Sequence, residues 1–130
     1  MPLVRIDIVK GVRSPDQVKK LADVVQRVLL DHFNAPPRDR YQIITQHEDY
    51  ELICEDTNLG LTRSRGLVVI QIFQQGRTEE QKKTTYKHLF ESLSRYCGVS
   101  GDDLIISCLE NTRADWSFGN GEAQFLTGRL

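Results

Sequence analysis

Apolar and polar positions alternate from Pro2 to Val9, with Val4, Ile6 and Ile8 on one side and Arg5 and Asp7 on the other. That period of two predicts a half-buried strand at the head of the chain. The period then changes: Val18, Leu21, Ala22, Val25, Val28, Leu29 and Phe33 recur at steps of three and four, predicting a helix over 15–33. Ser14-Pro15-Asp16-Gln17 supplies its start, with a hydroxyl at the N-cap, proline at the first helical position and a glutamine able to reach back to the cap. Asn34 before Ala35-Pro36-Pro37 supplies the stop. After a turn carrying Arg38-Asp39-Arg40, Tyr41 to Gln46 reads as a second strand.

Displacing the sequence on itself by 64 positions brings the same plan into register without a gap. Leu3, Val4, Ile6, Ile8, Arg13, Gln17 and Leu29 meet Leu67, Val68, Ile70, Ile72, Arg77, Gln81 and Leu93, Ser14 meets Thr78, and Asn34 meets Gly98. The second unit is therefore a strand at 67–73, a helix at 79–97 and a strand at 104–110, followed by a tail with Trp116, Phe118 and Phe125. The expectation is one α+β domain over 1–130, with an internal repeat of 2–47 and 66–111. Right-handed crossovers put both helices on one face of a four-stranded sheet. The strand at 67–73 is apolar on both sides, with Leu67, Val69 and Phe73 opposite Val68, Ile70 and Ile72, as for a strand buried twice. One chain has no third layer to cover it, which predicts a homo-oligomer packed sheet against sheet.

Composition narrows the function. Lys and Arg number 17 against 18 Asp and Glu, for a formal charge of -1. That near-neutrality lacks the positive field by which nucleic-acid binders hold polyanions, and no apolar run is long enough to span a bilayer. Small molecules or other subunits are the expected partners, with neither nucleic acid nor membrane. Cys54, Cys97 and Cys108 form no C-x-x-C pair, so reduced thiols and a cytoplasmic location are expected. No secretory signal or lipidation tail is recognisable, and the mature protein is expected to be nearly the whole chain.

Pro2 follows the initiator methionine, and removal of Met1 would leave a secondary amine at the end of a strand. Such an amine is a base or nucleophile when neutral and an acid when protonated. Asp39 sits between two arginines, a pattern equally suited to a solvated turn with surface ion pairs. Arg77 precedes the Thr78 helix cap, where a guanidinium can hold a carboxylate, although its counterpart Arg13 marks the position as partly structural. His32, His47 and His88 lack metal-ligand spacing and read as structural or surface residues. Trp116, Phe118 and Phe125 suit either core packing or a pocket wall.

Several stretches carry a family resemblance: Pro2-Leu3, Arg38-Asp39-Arg40-Tyr41-Gln42, Glu55-Asp56-Thr57 with Leu59-Gly60 and Arg63-Ser64, Glu79-Glu80-Gln81-Lys82, Ala114-Asp115-Trp116-Ser117-Phe118-Gly119, and Phe125-Leu126-Thr127-Gly128. With these the chain resembles the tautomerase superfamily, and within it malonate semialdehyde decarboxylase. The resemblance implies a homotrimer of β-α-β-β-α-β subunits with no metal or organic cofactor. It implies Pro2 as the catalytic proline, Asp39 as the acidic residue, Arg77 as one of two carboxylate-binding arginines, and Trp116, Phe118 and Phe125 as the hydrophobic wall. At Gln75 the family's first arginine is missing, so Arg-x-Arg has become Gln75-Gly76-Arg77, with Gln75 expected to contact substrate. Arg65, two residues after Arg63, is a candidate for the lost cation.

The expected activity is decarboxylation of a small 3-oxo acid. The alternatives are keto-enol tautomerisation of a 2-oxo acid such as phenylpyruvate, hydration of an unsaturated acid, and, more remotely, a noncatalytic binding protein. Tautomerisation needs only one carboxylate anchor and one base, so the loss of one arginine harms it less.

Overall fold

The protein, seen in a computed structural model, is described over residues 2–130; the expected removal of Met1 concerns a residue outside that range. Strand β1 (Leu3–Val9) is followed by helix α1 (Pro15–His32) and strand β2 (Tyr41–His47), and β3 (Val68–Gln74) by α2 (Glu79–Cys97) and β4 (Leu104–Glu110). A one-turn helix, α3 (Gln124–Thr127), lies in the tail. The sheet order is β2-β1-β3-β4. Pairing is parallel within each strand-helix-strand unit and antiparallel where the units meet, at β1 and β3. The expected elements are present, with ends differing by a residue: Phe33 caps α1 rather than closing it, and Leu67 precedes β3.

Local chemistry accounts for the helix ends. Ser14 Oγ accepts from the Gln17 amide at 3.2 Å while Gln17 Oε1 accepts from the Ser14 amide at 2.8 Å. Thr78 and Gln81 repeat the arrangement at 3.1 and 2.9 Å. Each exchange satisfies two amides that the helix itself leaves unpaired. Ser14→Ala is expected to cost about 1 kcal/mol, read as a lower denaturant midpoint with an unchanged slope. At the other ends, Asn34 and Gly98 both turn left-handed, with φ of 54° and 65°.

The core lies on one face of the sheet, where Val4, Ile6 and Ile8 and their β3 partners Val68, Ile70 and Ile72 meet Leu21, Val25 and Leu29 of α1 and Leu89 and Leu93 of α2. Burying each such side chain contributes about 1.5–3 kcal/mol. The helices are joined where Thr85 Oγ1 donates to the His32 carbonyl at 3.4 Å and the His32 and His88 rings stack at 3.6 Å. All three histidines are thus in packing or pairing contacts, His47 with Asp7 at 2.6 Å.

The opposite face is covered much less. Tyr41, Leu3, Phe73 and Leu109 form one cross-sheet row by register. Leu3, Val69, Phe73, Ile105 and Leu109 are half-buried, and Ile43 is 47% exposed. Within one chain β3 is therefore sealed on its helix side and open on the other, while Leu67, expected on the open side, is itself buried. Among the described residues the three cysteines are free, no His/Cys/Asp/Glu group is arranged to hold a metal, and no helix is long and apolar enough to cross a membrane.

Candidate active site

Pro2 is buried and stands immediately before β1, whose first residue pairs with Tyr41 of β2 and with Phe73 of β3. Those registers bring the head of the chain to the end of the sheet at which the loop into β2 carries Asp39 and the turn out of β3 carries Gln75 and Arg77. Proline has no amide hydrogen, and none is needed there because the sheet ladder begins at Leu3. A cavity of about 290 Å³ at this end is lined by Asp39, Gln75, Arg77 and Phe125, together with Asn34 and Gln81. Its size is at the lower end of the range for small-ligand sites.

Arg77 is fixed by the turn that precedes it. Gly76 adopts φ 67°, a left-handed conformation that reverses the chain sharply between β3 and α2. The guanidinium donates from Nε to the Phe33 carbonyl at 2.9 Å, from Nη2 to the Asn34 carbonyl at 3.3 Å and from Nη1 to the Gln75 carbonyl at 2.7 Å. It also lies 5.0 Å from the centre of the Phe33 ring. Arg77 thus closes the negative end of α1, the structural half of its expected role. An arginine has five N–H groups and three are engaged, so one remains on each terminal nitrogen, the pair that grips a carboxylate with two parallel bonds. Burial pulls its pKa down from the ordinary value, yet an arginine remains cationic.

Asp39 is half-buried in a tight turn, its amide donating to the Pro36 carbonyl at 3.2 Å. The ion pair in this turn belongs to its neighbour: Arg40 binds Asp23 at 2.7 Å and Gln42 at 2.8 Å. Gln75 faces two spaces, the cavity and an adjoining open hollow of about 690 Å³ that also meets Asn111, Arg113 and Leu126.

The tail crosses this end of the sheet from one edge to the other. It leaves β4 with the Asn111 amide donating to the Gln74 carbonyl at 2.8 Å. Trp116 Nε1 donates to Asn111 Oδ1 at 3.0 Å and the indole stacks on Phe118 at 5.4 Å. Phe118 in turn stacks on Tyr41 of the far edge strand at 5.7 Å and meets Phe125 edge-on at 5.5 Å. Phe125 is the aromatic residue in the cavity wall, and Trp116 and Phe118 reach it as the stack that holds its ring.

Arg65 does not supply the missing cation within this chain. It precedes β3, so a whole strand separates it from Gln75, and it pairs with Asp49 at 3.6 Å; Arg63 is turned to the Glu55 and Asp102 carbonyls. The cation bordering Gln75 from the tail is Arg113, which lies over the Phe125 ring at 4.7 Å. No sequence signal marked it. Gln81, read as the partner of the Thr78 cap and as part of a family stretch, uses its Oε1 in the cap and also lines the cavity. Asn34, likewise recognised as a helix stop, lines the same wall.

Two family models described as tautomerase enzyme match the chain, one over residues 39–119 and the other over 2–61. The chain is 48% identical over 130 residues to the probable tautomerase YrdN of Bacillus subtilis (strain 168), covering 100% of both. The chain belongs to the tautomerase family. Among solved structures, this tautomerase-family chain is similar to a malonate semialdehyde decarboxylase whose structures are described as a basis for decarboxylase and hydratase activities. The identity is 44%, the TM-score 0.93, and 98% of each chain is covered. It is also similar to FG41 malonate semialdehyde decarboxylase inhibited by 3-bromopropiolate, at 43% identity and a TM-score of 0.92, covering 98% of this chain and 97% of the other. Membership of the tautomerase superfamily, close to malonate semialdehyde decarboxylase, is therefore established, and its homologues are enzymes of tautomerase and decarboxylase type.

Proposed function

We propose that the chain, once Met1 is removed, is a cofactor-independent decarboxylase of a small 3-oxo acid, with the Pro2 amine as its acid/base group. The observation that carries this reading is the cavity at the head of β1, where Asp39, Gln75, Arg77 and Phe125 converge. The free edge of Arg77 holds the substrate carboxylate. Protonated Pro2 polarises the 3-carbonyl, the bond to the carboxylate carbon breaks, carbon dioxide leaves, and the electron pair remains on an enolate that takes up a proton. The protonated Pro2 amine favours that developing charge, and Phe125, braced by Trp116 and Phe118, keeps water from weakening the interaction. Asp39 orients Pro2 or a water molecule.

Gln75 supports a second reading. With one carboxylate-binding arginine in the cavity wall, neutral Pro2 can act as a base in the keto-enol tautomerisation of a 2-oxo acid, and in hydration of an unsaturated acid Asp39 activates the water while protonated Pro2 delivers the proton to the neighbouring carbon. The reactions are separated by a proton NMR time course with 3-oxopropanoate on protein whose intact mass lacks Met1. Acetaldehyde formation supports decarboxylation; its absence, with ketonisation of phenylenolpyruvate, replaces that reading. Gln75→Arg adds a charge-assisted bond where a neutral one stood. It is expected to raise kcat/KM for 3-oxopropanoate by about tenfold, measured in the same assay.

The half-covered sheet face suits a homotrimer in which that face is buried between subunits. The long connection from β2 to β3 supports it, since Tyr50 and Ile53 there are 74% and 79% exposed. Analytical ultracentrifugation giving three times the chain mass fits this assembly, and a monomer at micromolar concentration removes it.

A further inference from the structure

The displacement of 64 positions relates more than the strands and helices. It takes Arg77 to Arg13, Gln81 to Gln17, Asn34 to Gly98 and Pro2 to Gly66. All four counterparts line one cavity of about 470 Å³ at the opposite end of the sheet, together with Lys20 and Tyr96. Arg77, Gln81 and Asn34 line the first cavity, so three corresponding positions recur in two cavities, one at each end of the sheet.

The differences between them decide what the second can do. Gly66 lies inside the chain, so at the position corresponding to Pro2 it offers a peptide group and no terminal amine. Asp103, the counterpart of Asp39, is buried and occupied, accepting from the Ser64 amide and the Ser64 hydroxyl, each at 2.6 Å. Arg13 is less engaged than Arg77. It donates from Nη2 to the Gly66 carbonyl at 3.0 Å, and its Nη1 is buried without an acceptor. An unmatched donor on a buried cationic group costs more than a neutral one. Lys20 adds a second positive charge and enters no ion pair among the described residues. Burial pushes the Cys97 thiol up, and Lys20 and Arg13 offset part of that rise, so both cations act on this space. Val12 and Tyr96 give it an apolar side.

We infer that this cavity is a second, noncatalytic binding site that takes a small organic carboxylate. The carboxylate lies between Arg13 and Lys20, with a short turn of the half-buried Arg13 side chain presenting Nη1, and its apolar body rests against Val12 and Tyr96. Two cations with one apolar wall fit an organic anion better than a fully hydrated inorganic one.

The test is a titration of the full chain with phenylacetate, followed through the backbone amide signals of Gln17, Gly66 and Gly98 by nitrogen-proton correlation NMR. Saturable shifts at these amides are expected, weakened about tenfold or more by Lys20→Glu. Arg13→Gln should abolish them. Lys20 is exposed and holds no backbone, so its variant remains informative if Arg13→Gln folds poorly. Shifts confined to Gly76, Arg77 and Gln81, or shifts at the second cavity unchanged in the Lys20→Glu protein, would overturn the inference. Stronger shifts with inorganic phosphate than with phenylacetate would overturn the assigned ligand class.

Discussion

Alanine in place of Pro2 is expected to lower kcat/KM by about 10²–10⁴-fold, the range supplied by a positioned acid/base group. Alanine is also small enough for methionine removal, so the variant keeps a terminal amine and loses the secondary amine and its rigid ring. The ladder of β1 starts at Leu3, so the sheet pairing needs nothing from the substituted residue. A circular dichroism spectrum and melting curve close to those of the parent should therefore accompany the loss of turnover. Full activity in a Pro2→Ala protein confirmed by mass to lack Met1 would remove the proline from the mechanism and favour a noncatalytic binding protein or another base.

Arg77→Ala is expected to produce two losses at once. The carbonyls of Phe33, Asn34 and Gln75 lose their donor, and the Phe33 ring loses its cation. A stability decrease of about 1–3 kcal/mol follows, read from the denaturant midpoint. The substrate carboxylate loses its charge-assisted pair, for a drop in kcat/KM of roughly 10–150-fold. Arg77→Lys separates the two, because an ammonium keeps the charge but cannot span three carbonyls and still offer two parallel bonds. If the lysine variant recovers stability without turnover, the planar fork is what the reaction uses. If the alanine variant is destabilised with kcat/KM unchanged, Arg77 is confined to closing α1.

The place of Arg77 against the end of α1 shows where reading a sequence reaches its limit. Its correspondence with Arg13 pointed to a structural part, and the family resemblance pointed to a carboxylate. Which N–H groups serve which purpose depends on where the end of α1 comes to rest, a separation of over forty residues along the chain. Arg65 lies away from Gln75 within this chain for a related reason. The alternation that puts Arg63 and Arg65 on one side of an extended segment carries no information about which end of the sheet that segment occupies. Arg113 left no trace in any period or motif, and it borders Gln75 because the tail turns back across all four strands. Gln81 was visible as a cap, but its place in the cavity wall was not.

The sequence by itself determined the strands, helices, caps and stops, because each arises from contacts a few residues apart: alternation for a strand, steps of three and four for a helix, a hydroxyl and an amide exchanging bonds across one turn. It also carried the 64-residue correspondence and, through motif resemblance, Pro2, Asp39 and Arg77 as a candidate group. The tertiary structure decided the antiparallel meeting of β1 with β3, the path of the aromatic tail, the pairing of Arg65 with Asp49 and the two cavities at opposite ends of the sheet. Those features depend on distances between residues far apart in the chain, which are set by the packing of two helices on one sheet and by no local pattern.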